Sequence, residues 1–282
     1  MIENAVDCFF VDGAAQAKPS RSGMGPLIAA GGFLVPGEAL RELEQGLNNL
    51  CQEFGFPPGQ EFKWSPGRDL WMHDHLVGDA RAAFYVAALR LALATRVKAL
   101  VVIEDTTHDH AIRESPNHEM DVVAMFLERA NGELTRRKRN GLVFADRPTG
   151  GRTDEARFLS RCLESLQTGT KFVQYDRIAM NVITTESHLI RLLQLADVIT
   201  SCSLSFASGE DRFSPPVFEY IRPLLCRGWV GCGGIGFKIH PDHNYVNLYH
   251  WLLGDVEFLK RNMVFGLPIE SRPYAKSPNQ WR

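Results

Sequence analysis

The order of apolar runs and helical periodicities constrains this chain of 282 residues more than any other feature. Two strand-like segments, residues 5–11 and 26–35, are separated by a turn-rich stretch and are predicted to form a hairpin. A third apolar run, 97–103, follows only after a helical region over residues 36–96. Helices and strands then alternate, with helices predicted over 117–138, 154–166 and 187–205 and strands over 141–145 and 171–176.

Without the helical insertion at about 36–96, the element order is β-β-β-α-β-α-β-α. This is the chain order of the ribonuclease H-like fold, in which the first strand lies beside the fourth. We therefore predict an α/β protein with a ribonuclease H-like mixed sheet over residues 1–209. Strand and helix signals weaken after that point, so residues 210–282 are expected to form a C-terminal extension packed on the same domain, with one short helix near 248–259.

Composition excludes some classes of protein. A net charge of −2 and a pI near 6.5 argue against a uniformly basic, nucleic-acid-coating protein, although they allow a local basic groove. The six cysteines form no C-x-x-C pair, so the sequence indicates neither a zinc knuckle nor a dithiol redox centre. The first residues lack the basic and apolar regions of a signal peptide, and the most apolar helical stretch, 82–94, is too short for a bilayer. We expect a soluble, cytoplasmic protein with no membrane partner.

Two aspartates stand where apolar runs end. Asp12 follows Cys8-Phe9-Phe10-Val11, and Asp146 follows Leu142-Val143-Phe144-Ala145. If the two strands are parallel neighbours, they lie roughly 4.8 Å apart, and both carboxylates reach one edge of the sheet. Like charges at that distance favour a cation between them, and hard ions such as Mg²⁺ or Mn²⁺ prefer oxygen ligands. Taken singly, however, aspartates at strand ends are commonly turn formers.

A third aspartate, Asp197, lies within an otherwise apolar helical run. Gln194, Asp197 and Ser201 are spaced by three and four residues, so they form one polar stripe on a buried helix. A buried acid needs a partner, which would be either a metal ion or a nearby cation such as Arg191. Because three such acids occur, Asp12, Asp146 and Asp197, a metal ion is favoured over a single side-chain cation as their partner.

Four motifs resemble those of a family known as domain of unknown function 3800, which is grouped with the ribonuclease H-like superfamily. The motifs are Asp12-Gly13-Ala14-Ala15, Glu61-Phe62-Lys63, Val143-Phe144-Ala145-Asp146 and Leu193-Gln194-Leu195-Ala196-Asp197. The resemblance covers about residues 5–205, and the last of these motifs is the most specific. The first motif departs from the Asp-Glu-Ser-Gly typical of the family, since only its aspartate is retained. This departure leaves room for altered or reduced activity.

The resemblance implies that Asp12, Glu61, Asp146 and Asp197 ligate two metal ions, Mg²⁺ or Mn²⁺, with Lys63 nearby as a cation for a substrate phosphate. The implied function is a metal-dependent nuclease or related phosphoryl-transfer enzyme that acts on nucleic acid by a two-metal mechanism. The alternative is a catalytically weak nucleic-acid-binding or scaffold protein of the same fold. In a plainer interpretation, Glu61 and Lys63 form only a surface ion pair. The sequence leaves the oligomeric state open.

Other signals point less clearly to function. The basic run Arg136-Arg137-Lys138-Arg139 could hold a phosphate backbone, but it also ends a predicted helix, where cations are favourable. The glycine-rich segment 231–236 matches a dinucleotide fingerprint but lacks the following helix, which indicates a loop. Histidines that could form zinc pairs, and so a distant metallohydrolase alternative, are His73 with His75, His108 with His110, and His240 with His243. Asp105 could extend the acidic cluster, although it should lie two strands away.

Overall fold

The computed structural model describes residues 6–107, 117–260, 262–277 and 281. The strands are β1 (Val6–Gln16), β2 (Leu27–Pro36), β3 (Lys98–Asp105), β4 (Asn140–Asp146), β5 (Ile183–Thr185), β6 (Phe237–His240), β7 (Glu257–Lys260) and β8 (Met263–Gly266). The α-helices are α1 (Leu40–Glu53), α2 (Trp71–His75), α3 (Asp79–Ala94), α4 (His118–Arg137), α5 (Gly151–Thr168), α6 (Arg191–Ala207), α7 (Ser214–Ile221) and α8 (Asp242–Leu253). Short 3-10 helices are formed by Gly37–Ala39, Ser187–Leu189 and Arg222–Leu224.

The described residues form a mixed six-stranded sheet of order β5-β4-β1-β2-β3-β6, and β7 and β8 form a separate ribbon. The predicted α/β class is confirmed, and β1 lies beside β4 as expected. β2 runs antiparallel to both of its neighbours, whereas β4, β5 and β6 each pair in parallel with the strand beside them. Strands β1, β3, β4, β5 and β6 therefore share one direction, and we call the edge where they end the carboxyl edge.

Helices cover both faces of this sheet. On one side, which we call the α6 face, Phe10, Phe33 and Val101 pack with α6 and the helices of the insertion. On the other side, the α4 face, Phe9 and Leu34 pack with α4 and α5. Successive residues of a strand point to opposite faces, so position along a strand decides which face a side chain reaches. Within the described ranges, every helix falls short of the length and apolarity that a membrane span requires.

The strand predicted over residues 171–176 is wrong. The second neighbour of β4, on the side away from β1, is β5 at Ile183–Thr185. Segment 171–176 turns instead, because the backbone amide of Thr170 donates to the carbonyl of Val173 at 2.8 Å. The side chain of Asn131 on α4 provides further partners, since its amide group donates to the carbonyl of Gln174 at 3.1 Å and its oxygen accepts from the backbone of Arg177 at 2.9 Å.

The chain after residue 186 also differs from the prediction. The helix expected over 187–205 is divided, because Ile190 is extended (φ −137°, ψ 115°) between the 3-10 helix Ser187–Leu189 and α6. The helix expected near 248–259 begins earlier and ends at Leu253, and residues 257–260 form β7. Helix α7 and strand β6 were not predicted, and β6 extends the central sheet by pairing with β3.

Candidate functional site

Asp12 and Asp146 lie side by side at the carboxyl edge. The parallel pairing of β1 with β4 continues to Val11 and Ala145, and each aspartate is the next residue of its strand. Both aspartates point to the α6 face, because they stand two residues after Phe10 and Phe144, which pack on that side. One expectation is corrected: β1 does not stop at Asp12, since antiparallel pairing with β2 continues to Gln16.

Helix α6 brings Asp197 to the same face of the sheet. Its Oδ2 accepts a hydrogen bond of 2.6 Å from the backbone amide of Trp64, and its Oδ1 accepts one of 3.1 Å from the hydroxyl of Ser201. Arg191, the alternative partner, is engaged elsewhere: its guanidinium donates to the side chain of Asn48 at 3.1 Å and to that of Gln194 at 2.8 Å. The side chains of the polar stripe on α6 therefore all form hydrogen bonds within the protein.

The segment that carries Glu61 and Lys63 runs along α6. The amide of Phe62 donates to Oε1 of Gln194 at 3.2 Å, and the side chain of Phe62 is fully buried. The hydroxyl of Tyr85 on α3 donates to the carbonyl of Lys63 at 2.6 Å. These contacts hold the helical insertion against α6, and they leave Nζ of Lys63 at 3.6 Å from Oε1 of Glu61.

Ser187 connects two of the predicted carboxylates, a role that the sequence did not suggest. Its amide donates to Oδ1 of Asp146 at 3.0 Å, and its hydroxyl donates to Oε2 of Glu61 at 3.3 Å. Its carbonyl accepts a 2.9 Å hydrogen bond from Nε2 of Gln194. Gln194, fully buried on α6, thus positions both Ser187 and the Glu61–Lys63 segment. The sequence signal for Gln194 was its place in the polar stripe of α6.

The charges of the four acids converge on Lys63. Burial disfavours the ammonium, but the carboxylates of Glu61, Asp197, Asp146 and Asp12 outweigh it and raise the pKa of Lys63. Burial and the charges of Asp197 and Asp146 hold the pKa of Asp12 well above its usual range. Burial also raises the pKa of Asp197, against the opposing effect of the hydrogen bonds from Trp64 and Ser201. The cluster of Asp12, Glu61, Asp146 and Asp197 around Lys63 is called the acidic cluster below.

A second group lies on the α4 face of the same sheet. Glu104, fully buried near the end of β3, faces His118 and Asp121 in the first turn of α4. Nδ1 of His118 is 3.2 Å from Oε1 of Glu104. In the part of the chain that the structure describes, this is the one set of three His, Cys, Asp or Glu side chains whose ligand atoms all lie within 4.8 Å of one another. These three residues could hold a metal ion, whereas the acids of the acidic cluster are more widely spaced.

Glu104, His118 and Asp121 were not predicted as site residues. Asp105, the neighbouring acid that could have extended the acidic cluster, points to the opposite face from Glu104. It accepts hydrogen bonds from the hydroxyl of Tyr245 and, at 2.9 Å, from the amides of Gly25 and Thr107. A usable signal was present: an acid near the end of an apolar strand, followed by histidine and aspartate three residues apart at the start of the next helix.

The basic run forms ion pairs within the protein. Arg137 and Arg139 each place Nε 2.7 Å from a carboxylate oxygen of Asp7, which is fully buried, and Arg136 pairs with Glu133. Lys138 ends α4 in the left-handed conformation (φ 56°). Three of the four cations are therefore engaged within the protein, at or just after the end of α4.

Within the described residues, the remaining histidine and glycine signals add no further set of three metal ligands. Nδ1 of His73 is 2.5 Å from Asp74, and Nδ1 of His75 is 2.8 Å from the carbonyl of Trp71. Residues 108–110 lie outside the described residues. The glycine-rich segment 231–236 leads directly into β6 rather than into a helix. Comparisons of the chain with family models, with curated proteins and with solved structures found no match.

Proposed function

We propose that this protein is a divalent-metal-dependent nuclease, or a related phosphoryl-transfer enzyme, with its site at the acidic cluster. Asp12, Glu61, Asp146 and Asp197 would hold two Mg²⁺ or Mn²⁺ ions, and nucleic acid would be the substrate. The observation that carries the proposal is the convergence of these four carboxylates, from four separate segments of the chain, around one lysine at the carboxyl edge.

The arrangement of strands supports a ribonuclease H-like fold as part of this proposal. The order β5-β4-β1-β2-β3, with β1 in parallel contact with β4 and β2 antiparallel to both neighbours, agrees with the element order from which that fold was predicted. The resemblance to the domain of unknown function 3800 family rests on the same segments. In sheets of this kind, ligands bind beyond the carboxyl ends of the strands, which is where the acidic cluster lies.

The residues of the acidic cluster fit hard divalent ions. All four offer carboxylate oxygens, the ligands that Mg²⁺ and Mn²⁺ prefer. The raised pKa of Asp12 reports that its negative charge is disfavoured by burial and by Asp197 and Asp146. A bound cation would remove this penalty more fully than Lys63 alone, because one ammonium faces four carboxylates. Their present spacing is wide, so we expect metal binding to draw the carboxylates together.

Each residue then has a defined task. The four carboxylates would hold the ions, and Ser187 and Gln194 keep Asp146, Glu61 and the Lys63 segment in place. Two ions bound there would supply an activated water and stabilisation of the leaving oxygen of the phosphodiester. Lys63, 35% exposed, is accessible enough to contact a phosphate oxygen of the substrate.

A second candidate function, nucleic-acid binding with little or no catalysis, is favoured by the residues next to Asp12. Gly13, Ala14 and Ala15 provide neither a carboxylate nor a hydroxyl, and Ala14, on the same face as Asp12, packs against the core. The neighbouring strand position therefore contributes no further ligand on that face.

The test measures metal-dependent stability and nuclease activity together. We expect Mn²⁺ to raise the melting temperature of the wild type more than that of Asp146→Asn, and we expect the wild type but not Asp146→Asn to hydrolyse single-stranded, duplex or hybrid substrates in the presence of Mg²⁺ or Mn²⁺. Asp154→Asn is the matched control, since Asp154 is a surface residue on α5 paired with Arg157. Metal stabilisation with nucleic-acid binding but no hydrolysis would favour the second function. No metal response at all would overturn the proposed nuclease.

A further inference from the structure

We propose that Glu104, His118 and Asp121 form a second metal site, distinct from the acidic cluster, that binds a transition ion of the Zn²⁺ class. It would lie on the α4 face of the sheet, between the end of β3 and the first turn of α4. This assignment does not depend on the proposed nuclease activity.

The geometry of the three side chains favours an ion. Their ligand atoms all lie within 4.8 Å of one another, so a single ion at the centre could reach all three after small side-chain movements. His118 and Asp121 are three residues apart on α4 and therefore point in the same direction. Glu104 approaches from β3, so the ligands come from two elements that already pack together.

The donor set selects the kind of ion. The imidazole nitrogen of His118 favours Zn²⁺ and similar first-row ions, which accept a mixed set of nitrogen and oxygen ligands, whereas Mg²⁺ and Ca²⁺ prefer oxygen ligands alone. Two carboxylates also balance the charge of a divalent ion.

The surroundings agree with a ligand site rather than with a pair of core residues. Glu104 stands at the carboxyl edge, one residue before the end of β3. His240 is its registered neighbour on β6 and, by the alternation of strand residues, lies on the same face, which brings a second imidazole to this side of the sheet. Asp12, Asp146 and Asp197 lie on the other face. The two sites can therefore be tested separately.

The experiment is a titration of the chelator-treated full-length protein with Zn²⁺, measured by calorimetry. Excess Mg²⁺ is present throughout, so that the acidic cluster does not compete for Zn²⁺. We expect one tight Zn²⁺ site per chain in the wild type and in Asp146→Asn. Glu104→Gln, His118→Gln and Asp121→Asn should each weaken Zn²⁺ binding by more than about ten-fold, since even the loss of an outer-shell partner costs about 10- to 100-fold. His73→Gln is the control, because it removes a histidine that pairs with a single carboxylate, Asp74.

Two outcomes would overturn the site. One is that the wild type binds Zn²⁺ no more tightly than it binds Mg²⁺. The other is Zn²⁺ affinity that is unchanged in His118→Gln and Asp121→Asn, which would show that these side chains do not ligate the ion. Asp121 is only half-buried, so its asparagine variant should fold even if Glu104→Gln does not. Failure of nuclease activity in the same preparations would not bear on this result.

Discussion

The backbone amide of Trp64 donates a 2.6 Å hydrogen bond to Oδ2 of Asp197, 133 residues further along the chain. Such a bond favours the ionised carboxylate, and it opposes the burial that raises the pKa of Asp197. The helical insertion therefore does more than cover the sheet. It fixes the direction of one carboxylate on α6, and through the same segment it delivers Glu61 and Lys63 to the acidic cluster.

Asp12→Asn should increase the free energy of unfolding of the metal-free protein at neutral pH. Burial and the charges of Asp197 and Asp146 raise the pKa of Asp12, so the folded state binds this proton more tightly than the unfolded state does. The contribution of Asp12 to stability therefore falls as the pH rises from about 4, its ordinary pKa, through the raised value. Below about pH 4 the advantage of the variant should disappear.

Urea unfolding across this pH range, with a chelator present, measures the effect, and Asp154→Asn controls for the loss of a surface charge. A lower stability of Asp12→Asn than of the wild type at neutral pH would contradict the electrostatic account. Saturating Mn²⁺ should reverse the order of the two proteins, because the variant lacks one proposed ligand.

Lys63→Met should separate metal binding from catalysis. Removal of the ammonium leaves four carboxylates without their shared cation, so the metal-free variant should be less stable and should gain more from Mn²⁺ than the wild type does. Hydrolysis should nevertheless fall by about 10²-fold, the cost typical of losing one group that stabilises developing charge. Lys63→Arg, which keeps the charge, should retain the metal response of the wild type. Equal Mn²⁺ stabilisation of Lys63→Met and wild type would show that the lysine does not compete with metal.

Gln194→Leu should lower the free energy of unfolding by about 2–3 kcal/mol, because it leaves the buried amide of Phe62 and the carbonyl of Ser187 without their partner. The same variant should also reduce the stabilisation by Mn²⁺, since Glu61 and Asp146 both depend on Ser187. Ser203→Ala is the matched control on α6, as the buried hydroxyl of Ser203 forms no hydrogen bond with the described residues. A loss in Ser203→Ala as large as that in Gln194→Leu would point to general packing instead.

Asp7→Asn tests whether the basic run is structural. Asp7 is fully buried between Arg137 and Arg139. Burial raises the pKa of Asp7 against the opposing effect of the two guanidinium groups, so the cost of the variant, about 3–5 kcal/mol, comes from leaving both arginines without their carboxylate. Glu38, the exposed partner of Arg139, provides the comparison: Glu38→Gln should cost no more than about 1 kcal/mol. Guanidinium unfolding measures both. If Arg137→Met weakened nucleic-acid binding without a loss of stability, the phosphate-binding interpretation of the run would regain support.

The sequence was sufficient to predict those positions of acidic residues that follow from the order of apolar runs and from helical spacing. The element order placed the first strand beside the fourth, and each of these strands is followed by aspartate, so Asp12 and Asp146 were predicted to be neighbours, as the parallel pairing of β1 with β4 makes them. The helical spacing that placed Asp197 on a polar stripe likewise needs no tertiary information. β5, with three residues, and β6, with four, are too short for a pattern to appear.

Other features depend on contacts that no local pattern contains. The alternation in Phe172-Val173-Gln174-Tyr175 is typical of a strand, but the backbone of this segment bonds to Asn131, far away in sequence. The choice between Glu104 and Asp105 depends on the register of β3, which alone decides which acid meets α4. The role of Ser187 follows from the break at Ile190, where the sequence predicted one continuous helix.

Gly31→Ala should destabilise the protein by about 1–3 kcal/mol, since a Cβ at this position would lie 2.6 Å from Oγ1 and 3.0 Å from Cγ2 of the buried Thr200 on α6. Gly31 is the β2 partner of Asp12, so this contact sets how closely α6, and with it Asp197, approaches Asp12. Thr200→Ala removes both crowded atoms and should recover part of the loss in a double-mutant cycle.

Gly13→Ala is the control for this cycle, because the nearest atom to a Cβ there is the carbonyl oxygen of Ala29 at 3.8 Å. It should change the free energy of unfolding by no more than about 0.5 kcal/mol. If Gly31→Ala proves equally mild, or if Thr200→Ala recovers nothing, α6 does not pack against β2 at this point. If the contact is real, Gly31→Ala should also weaken the response to Mn²⁺, because the helix that carries Asp197 would be displaced from the strand that carries Asp12.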